Sequence, residues 1–132
     1  MTILVAYIPT PEGEAALRAG VQEARLRREG LLVLNTSRGD AEADPRLAPE
    51  HQLETVRRDL TELHVDFEVE QLIRGRDAAE EVVQTAARAN VSLIVIGLRH
   101  RTPVGKFLLG SNAQRILLDA SCPVLTVKAH EQ

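Results

Sequence analysis

The residues able to do chemistry gather in one stretch of this 132-residue chain: Gly97-Leu-Arg-His-Arg-Thr-Pro-Val-Gly105-Lys-Phe-Leu-Leu-Gly110-Ser-Asn. Between positions 98 and 118 lie four basic residues, Arg99, Arg101, Lys106 and Arg115, together with His100, and no acid. The rest of the chain carries 12 basic against 19 acidic residues, so a cationic island sits in an acidic protein. The island runs into a helical pattern that starts near Gly110. Backbone N–H groups at Gly110 to Asn112, the Ser111 hydroxyl and the helix dipole would then converge on the same oxygens, the chemistry of an anion site. The plainer reading stands beside it: glycines that permit tight turns, and basic side chains on a solvated face.

Other constellations carry less. His100-Arg-Thr-Pro-Val-Gly105-Lys106 has the look of a Walker loop but lacks its first Gly and the closing Ser or Thr that would hold Mg²⁺. His100, Ser111 and Asp119 supply the letters of a hydrolase triad without a Gly-x-Ser-x-Gly elbow. His51, His64 and His130 share no metal-ligand spacing and read as surface residues. The single cysteine, Cys122, has no disulfide partner and reads as a small buried hydrophobe in a reducing compartment. Asp40, Glu42 and Asp44 read as a solvated loop, and Arg74, Arg76 and Asp77 as a helix start. No metal site is expected.

The elements that must position the basic loop follow from periodicity. Ile3 to Ile8 is a continuous apolar run, the mark of a strand buried on both faces. Thr10-Pro11 opens a helix whose stripe runs through Leu17, Val21 and Ala24, with Gly30 as its stop. Leu31 to Leu34 is a second strand, and Leu53, Val56, Leu60 and Leu63 stripe a second helix. Asp66 to Ile73 is a less buried strand, and Asp77-Ala-Ala-Glu80 caps a third helix. Val91 to Ile96 is a strongly buried fourth strand ending at Gly97. A fourth helix through Ile116, Leu117 and Ala120 and a strand from Pro123 to Val127 complete the chain. Five strands alternating with helices predict an α/β fold: an open parallel sheet with helices on both faces, first and fourth strands at its centre, in one domain over 1–132. In such sheets ligands bind beyond the carboxyl ends of the strands, where the strand order reverses.

Composition excludes several partners. The aromatic set is Tyr7, Phe67 and Phe107, too few for base-stacking on single-stranded nucleic acid. A net charge of −3 gives no general attraction to nucleic acid or anionic membranes. No apolar run approaches the roughly 18 residues of a bilayer span, and the N-terminal run lacks a basic n-region. A cytoplasmic protein is the expectation.

The whole pattern resembles the universal stress protein family. Gly97, two residues, His100, nine residues, then Gly110-Ser111 matches the family's phosphate-binding spacing, with His100 where a glycine is usual. The likeness extends to Ile3-Leu-Val-Ala-Tyr-Ile-Pro-Thr-Pro11, to Arg74-Gly-Arg-Asp-Ala-Ala-Glu-Glu81 and to the closing Ser121-Cys-Pro-Val-Leu-Thr-Val-Lys128. It implies a Rossmann-like sheet of the adenine nucleotide α-hydrolase type, in strand order 3-2-1-4-5, and a stress-linked regulatory role. No acidic residue lies near the basic loop in sequence to hold a metal, so no catalytic residues and at most negligible ATP hydrolysis are expected. The resemblance also implies a homodimer paired through the last strand at Val124, Leu125, Thr126 and Val127. The ligand implied is ATP or another nucleotide, held by Ile8, Pro9, Thr10, Thr36, Ile96, Gly97, Arg99, His100, Gly110, Ser111 and Asn112. Ile8 stands where the family usually has an Asp that addresses adenine. With no donor or acceptor there, little adenine preference is expected. The alternative is a dimeric interaction module of the same family that binds no nucleotide.

Overall fold

The computed structural model describes residues 1–39, 44–100 and 107–129. In chain order the elements are β1 (Thr2–Ala6), α1 (Pro11–Arg27), β2 (Gly30–Ser37), α2 (Glu50–Glu62), β3 (Phe67–Ile73), α3 (Ala78–Arg88), β4 (Val91–His100), β5 (Phe107–Leu108), α4 (Ser111–Asp119) and β6 (Val124–Lys128). Five strands pair in parallel as β3-β2-β1-β4-β6, which is the order 3-2-1-4-5 when the parallel strands alone are counted. The short β5 lies antiparallel to the end of β4, pairing Leu108 with Arg99 and Phe107 with His100.

The two continuous apolar runs are central because only central strands are covered on both faces. On one face Ile3, Val5 and Tyr7 of the β1 segment meet Val21 and Ala24 of α1 and Leu53, Val56 and Leu60 of α2. On the other, Leu4 and Ile94 meet Ala79, Val82 and Ala86 of α3 and Ile116 of α4. The alternation of period two thus splits β1 between two cores, each roofed by a pair of helices. Cys122 packs at the margin of the second core, and burial raises its thiol pKa, so it stays the protonated hydrophobe that the composition suggests.

Local signals hold at most helix starts. Thr10 is extended and accepts from the Gly13 N–H at 3.1 Å, with Pro11 in the first turn. Asp77 accepts from the Glu80 N–H at 3.0 Å. The end of α1 differs from expectation: the left-handed residue is Arg28, at φ 56°, and Gly30 already belongs to β2. The Arg28 N–H bonds the Arg25 carbonyl at 3.4 Å and the Glu29 N–H bonds the Ala24 carbonyl at 3.0 Å, a termination made without a glycine. Two strand ends also differ. β1 stops at Ala6, although the Tyr7 N–H still reaches the Leu34 carbonyl at 2.9 Å, and β4 continues past Gly97 to His100 because β5 pairs with it.

Candidate functional site

A cavity of about 370 Å³ opens where the ends of β1 and β4 part, at the reversal of strand order. Its wall is apolar, with Ile8, Leu34, Val82, Ile96, Leu98 and Ile116 among the lining residues. Polar groups come from Glu12 of α1, Thr36 of β2, Arg46 of the β2–α2 loop, Arg99 of β4, and Ser111 and Asn112 of α4.

Three helices begin beside this cavity, and their first turns are furnished differently. The start of α1 is closed: Thr10 takes up the Gly13 N–H, and Glu12 and Glu14 stand in its first turn. It is also crowded. A Cβ on Gly97 would lie 2.1 Å from the Glu12 carbonyl oxygen, and one on Gly13 would lie 1.8 Å from that of Ile8. These glycines let the helix sit directly on the two strand ends. The start of α3 is capped by Asp77, whose carboxyl is held below its usual range by the Glu80 N–H and by Arg115. The start of α4 is open. Its cap residue, Gly110, has no side chain to accept from the first-turn N–H groups, no acid stands in that turn, and a Cβ on Gly110 would meet nothing within 4 Å. The positive end of the α4 dipole therefore faces the cavity uncompensated.

The cations of the basic loop are partly spoken for. Arg99 lies 3.8 Å from Glu12, whose side chain is 14% exposed, so the cavity holds an acid that its position in the chain does not announce. Arg115 pairs with Asp77 at 2.5 Å. Arg101 and Lys106 lie outside the described residues, as do the side chain of His100, and Asp40, Glu42 and His130. His51 and His64 are exposed. Arg46 is the cation that the basic-loop reading missed. Its guanidinium meets a neutral amide: in the Asn112 orientation that satisfies both groups, the amide oxygen accepts from Nη1 at 2.5 Å and from Nη2 at 3.1 Å.

A buried asparagine places Arg46. Asn35 is fully buried, and its Nδ2 donates to the carbonyls of Tyr7 at 2.9 Å and Arg46 at 2.7 Å. Its Oδ1 accepts from the Ala48 N–H at 3.0 Å and from Gln71 at 2.9 Å. One side chain with every polar atom satisfied thus ties the end of β1 to the β2–α2 loop. Tyr7 reinforces the same corner, donating to Glu14 and accepting from Gln52 at 2.9 Å. Burial, then the Glu14 carboxylate, push its hydroxyl pKa upward, so it stays a neutral donor.

Of the residues expected at the site, the structure brings Ile8, Thr36, Ile96, Gly97, Arg99, Gly110, Ser111 and Asn112 to the cavity. Pro9 and Thr10 do not line it, because Thr10 is spent on capping α1. Arg74 and Arg76 are not capping groups: Arg74 makes a two-pronged bond to the buried Glu81, at 3.0 and 2.7 Å, with Arg76 at 3.9 Å from the same carboxylate. Among the described residues no three His, Cys, Asp or Glu are grouped to hold a metal, and no helix is long and apolar enough to cross a membrane.

The model of the Universal stress protein family matches residues 1–128. A universal stress protein of Mycolicibacterium smegmatis is 46% identical over 128 residues, covering 97% of this chain and 98% of that relative. The chain belongs to the universal stress protein family. Among solved structures, a universal stress protein from Archaeoglobus fulgidus matches with a TM-score of 0.78 at 27% identity, over 97% of this chain and 93% of that one. A universal stress protein of the same organism in complex with dAMP matches with a TM-score of 0.66 at 23% identity, over 96% of each chain. The fold of the family and the sheet order deduced for this chain agree.

Proposed function

We propose that this protein is a cytoplasmic regulatory binder of a phosphate-bearing small molecule, a nucleotide being the best fit, and that it does not turn its ligand over. The observation that carries this reading is the open start of α4: Gly110 leaves the Ser111 and Asn112 N–H groups without a side-chain cap at the rim of a cavity. The apolar wall suits a base or another flat group, and a cavity of about 370 Å³ lies in the usual range for small-molecule sites. The dAMP complex of the Archaeoglobus relative supports the ligand class. Ile8, at the end of the β1 segment, offers a base only apolar contact, so ATP and GTP should bind alike. Binding without turnover is supported by the pairing of Glu12 with Arg99 at 3.8 Å, since Glu12 is the one carboxylate among the described residues that line the cavity. Ser111 and Asp119 stand at opposite ends of α4, about 12 Å apart along a helix, and form no shared site.

Calorimetric titration of wild type and Gly110→Asp with ATP, GTP and AMP tests the reading. An aspartate fits the cap conformation of Gly110, φ −70° and ψ 168°, so the variant keeps its fold while its carboxylate takes the N–H groups and repels phosphate. Wild type should bind all three and the variant none. Wild type that binds none of them overturns the proposal.

The same reading includes a homodimer through β6. The Ile94 N–H bonds the Pro123 carbonyl at 3.0 Å, which sets a ladder phase that turns the Thr126 N–H toward the outer edge. No described strand pairs with that edge. Val124, Leu125 and Val127 flank Thr126 half-buried, and a two-fold mate would cover them. Thr126→Pro removes the outward donor alone and should yield monomer in light scattering, whereas an unchanged dimer places the interface elsewhere.

A further inference from the structure

Arg46 differs from the other described cations near the cavity in making no close ion pair with a described carboxylate, although its charge helps to hold the Asp44 carboxyl below the usual range. Arg99 has Glu12 and Arg115 has Asp77, whereas both Nη atoms of Arg46 converge on the amide oxygen of Asn112 in the first turn of α4. That oxygen shows where an acceptor sits when the guanidinium addresses the start of this helix. The position of Arg46 is not left to its own side chain. The buried Asn35 holds its carbonyl and the Asp44 carboxylate accepts from its N–H at 2.9 Å, while the Ser37 hydroxyl donates to Asp44 at 2.6 Å. These bonds pin the main chain, and none uses the guanidinium.

We infer that Arg46 is the specificity-determining residue of the site, and that it selects a terminal phosphoryl group over a cyclic or diester phosphate. The inference rests on the proposed binding of phosphate at α4. The first-turn N–H groups take oxygen from one side, and the Arg46 fork takes two from the other, replacing the Asn112 amide as its acceptor. A phosphomonoester has three non-bridging oxygens and close to two negative charges, enough for both sets of donors. A cyclic phosphate has two such oxygens and one charge, so one set is left unmatched. An Arg tied to a neutral amide loses little on exchanging it for a dianion.

The test is calorimetric titration of wild type, Arg46→Ala and Arg46→Lys with AMP and with 3′,5′-cyclic AMP, alongside thermal melting of each protein. Wild type should bind AMP at least about tenfold tighter than the cyclic nucleotide, the scale of one charge-assisted bidentate contact. Arg46→Ala should bring the two ligands within about twofold by weakening AMP, with its melting point unmoved. Arg46→Lys, which keeps the charge and loses the fork, should fall between them. A preference for AMP that survives in Arg46→Ala, or wild type that binds both nucleotides equally, overturns the role of Arg46 and leaves phosphate binding at α4 standing. Wild type that binds neither nucleotide overturns both.

Discussion

Two helix starts border the same cavity and have opposite characters. At α1 the chain spends its donors on itself: Thr10 caps, Glu12 and Glu14 neutralise the dipole, and Gly97 and Gly13 let the first turn press on the strand ends. At α4 nothing is spent: Gly110 has no side chain, no acid follows, and open space lies where a Cβ would be. The glycines that open and close the Gly97…Gly110-Ser111 spacing therefore have different physical reasons. The first is a packing device that lets α1 sit over β4. The last leaves the first-turn N–H groups of α4 without a side-chain cap. A shared motif does not imply a shared role for its members.

The contrast is broken most directly at Gly97. In Gly97→Ala the new Cβ meets a backbone carbonyl 2.1 Å away, which no rotamer change relieves. The expected loss is about 3 kcal/mol, the upper end for forced overpacking, read as a lowered midpoint in denaturant. A variant as stable as wild type would mean that the start of α1 is not crowded.

The third helix start sharpens the comparison, because α3 is pinned by an ion pair at its base. Arg74 holds the Glu81 carboxyl below the usual carboxylate range, and that side chain is fully buried. A depressed carboxyl contributes stability that is present above its unfolded pKa, about 4.3, and is lost as the pH falls through the lower folded value. Arg74→Ala should therefore lower the melting point by about 5 °C at pH 7, with Arg76 offering partial compensation, and the gap to wild type should close as the pH drops below 4. A gap that stays constant with pH would show that the arginine acts through packing alone.

Ile8→Asp probes the apolar side of the cavity, by giving the β1 end a hydrogen-bonding group. The ratio of ATP to GTP affinity should rise by about three- to tenfold, the scale of one net hydrogen bond. An unchanged ratio would mean that the base does not reach Ile8.

The smallest effect is expected where the comparison began. Gly110→Ala adds a Cβ into open space at an ordinary φ and should cost less than about 1 kcal/mol, chiefly through poorer capping. Setting it against Gly97→Ala compares the same substitution at the two ends of one motif. Similar losses at both would erase the distinction.

Much of this was legible because it is local. Ile3 to Val5 and Leu93 to Ile96 announce central strands by being apolar without alternation, and Thr10-Pro11 and Asp77 to Glu80 announce helix starts by side chains within reach of their own N–H groups. The cavity was legible in part, since the strand-order rule and the Gly110-Ser111-Asn112 step both point to it. Arg46 was not, for it sits in a polar loop with no motif, and its meaning depends on Asn35, 11 residues away, and Asn112, on another element. Glu12 was hidden as well. In a helix's first turn an acid reads as dipole compensation, and only the approach of α1 to β4 makes it a neighbour of Arg99.

Residue order by itself determined the periodicities, the caps and the strand alternation, and through them the family, the sheet and the end of the sheet where a ligand would bind. Those features depend on contacts within a few residues or on burial pattern, which any stretch of chain displays on its own. Tertiary structure alone decided which charges are free. Arg99 and Arg115 are matched by acids from α1 and from the start of α3, and Arg46 is carried to α4 by a buried amide. Ion pairing weakens with distance and depends on the local dielectric, so the electrostatics of the cavity exist only once distant segments have been brought together.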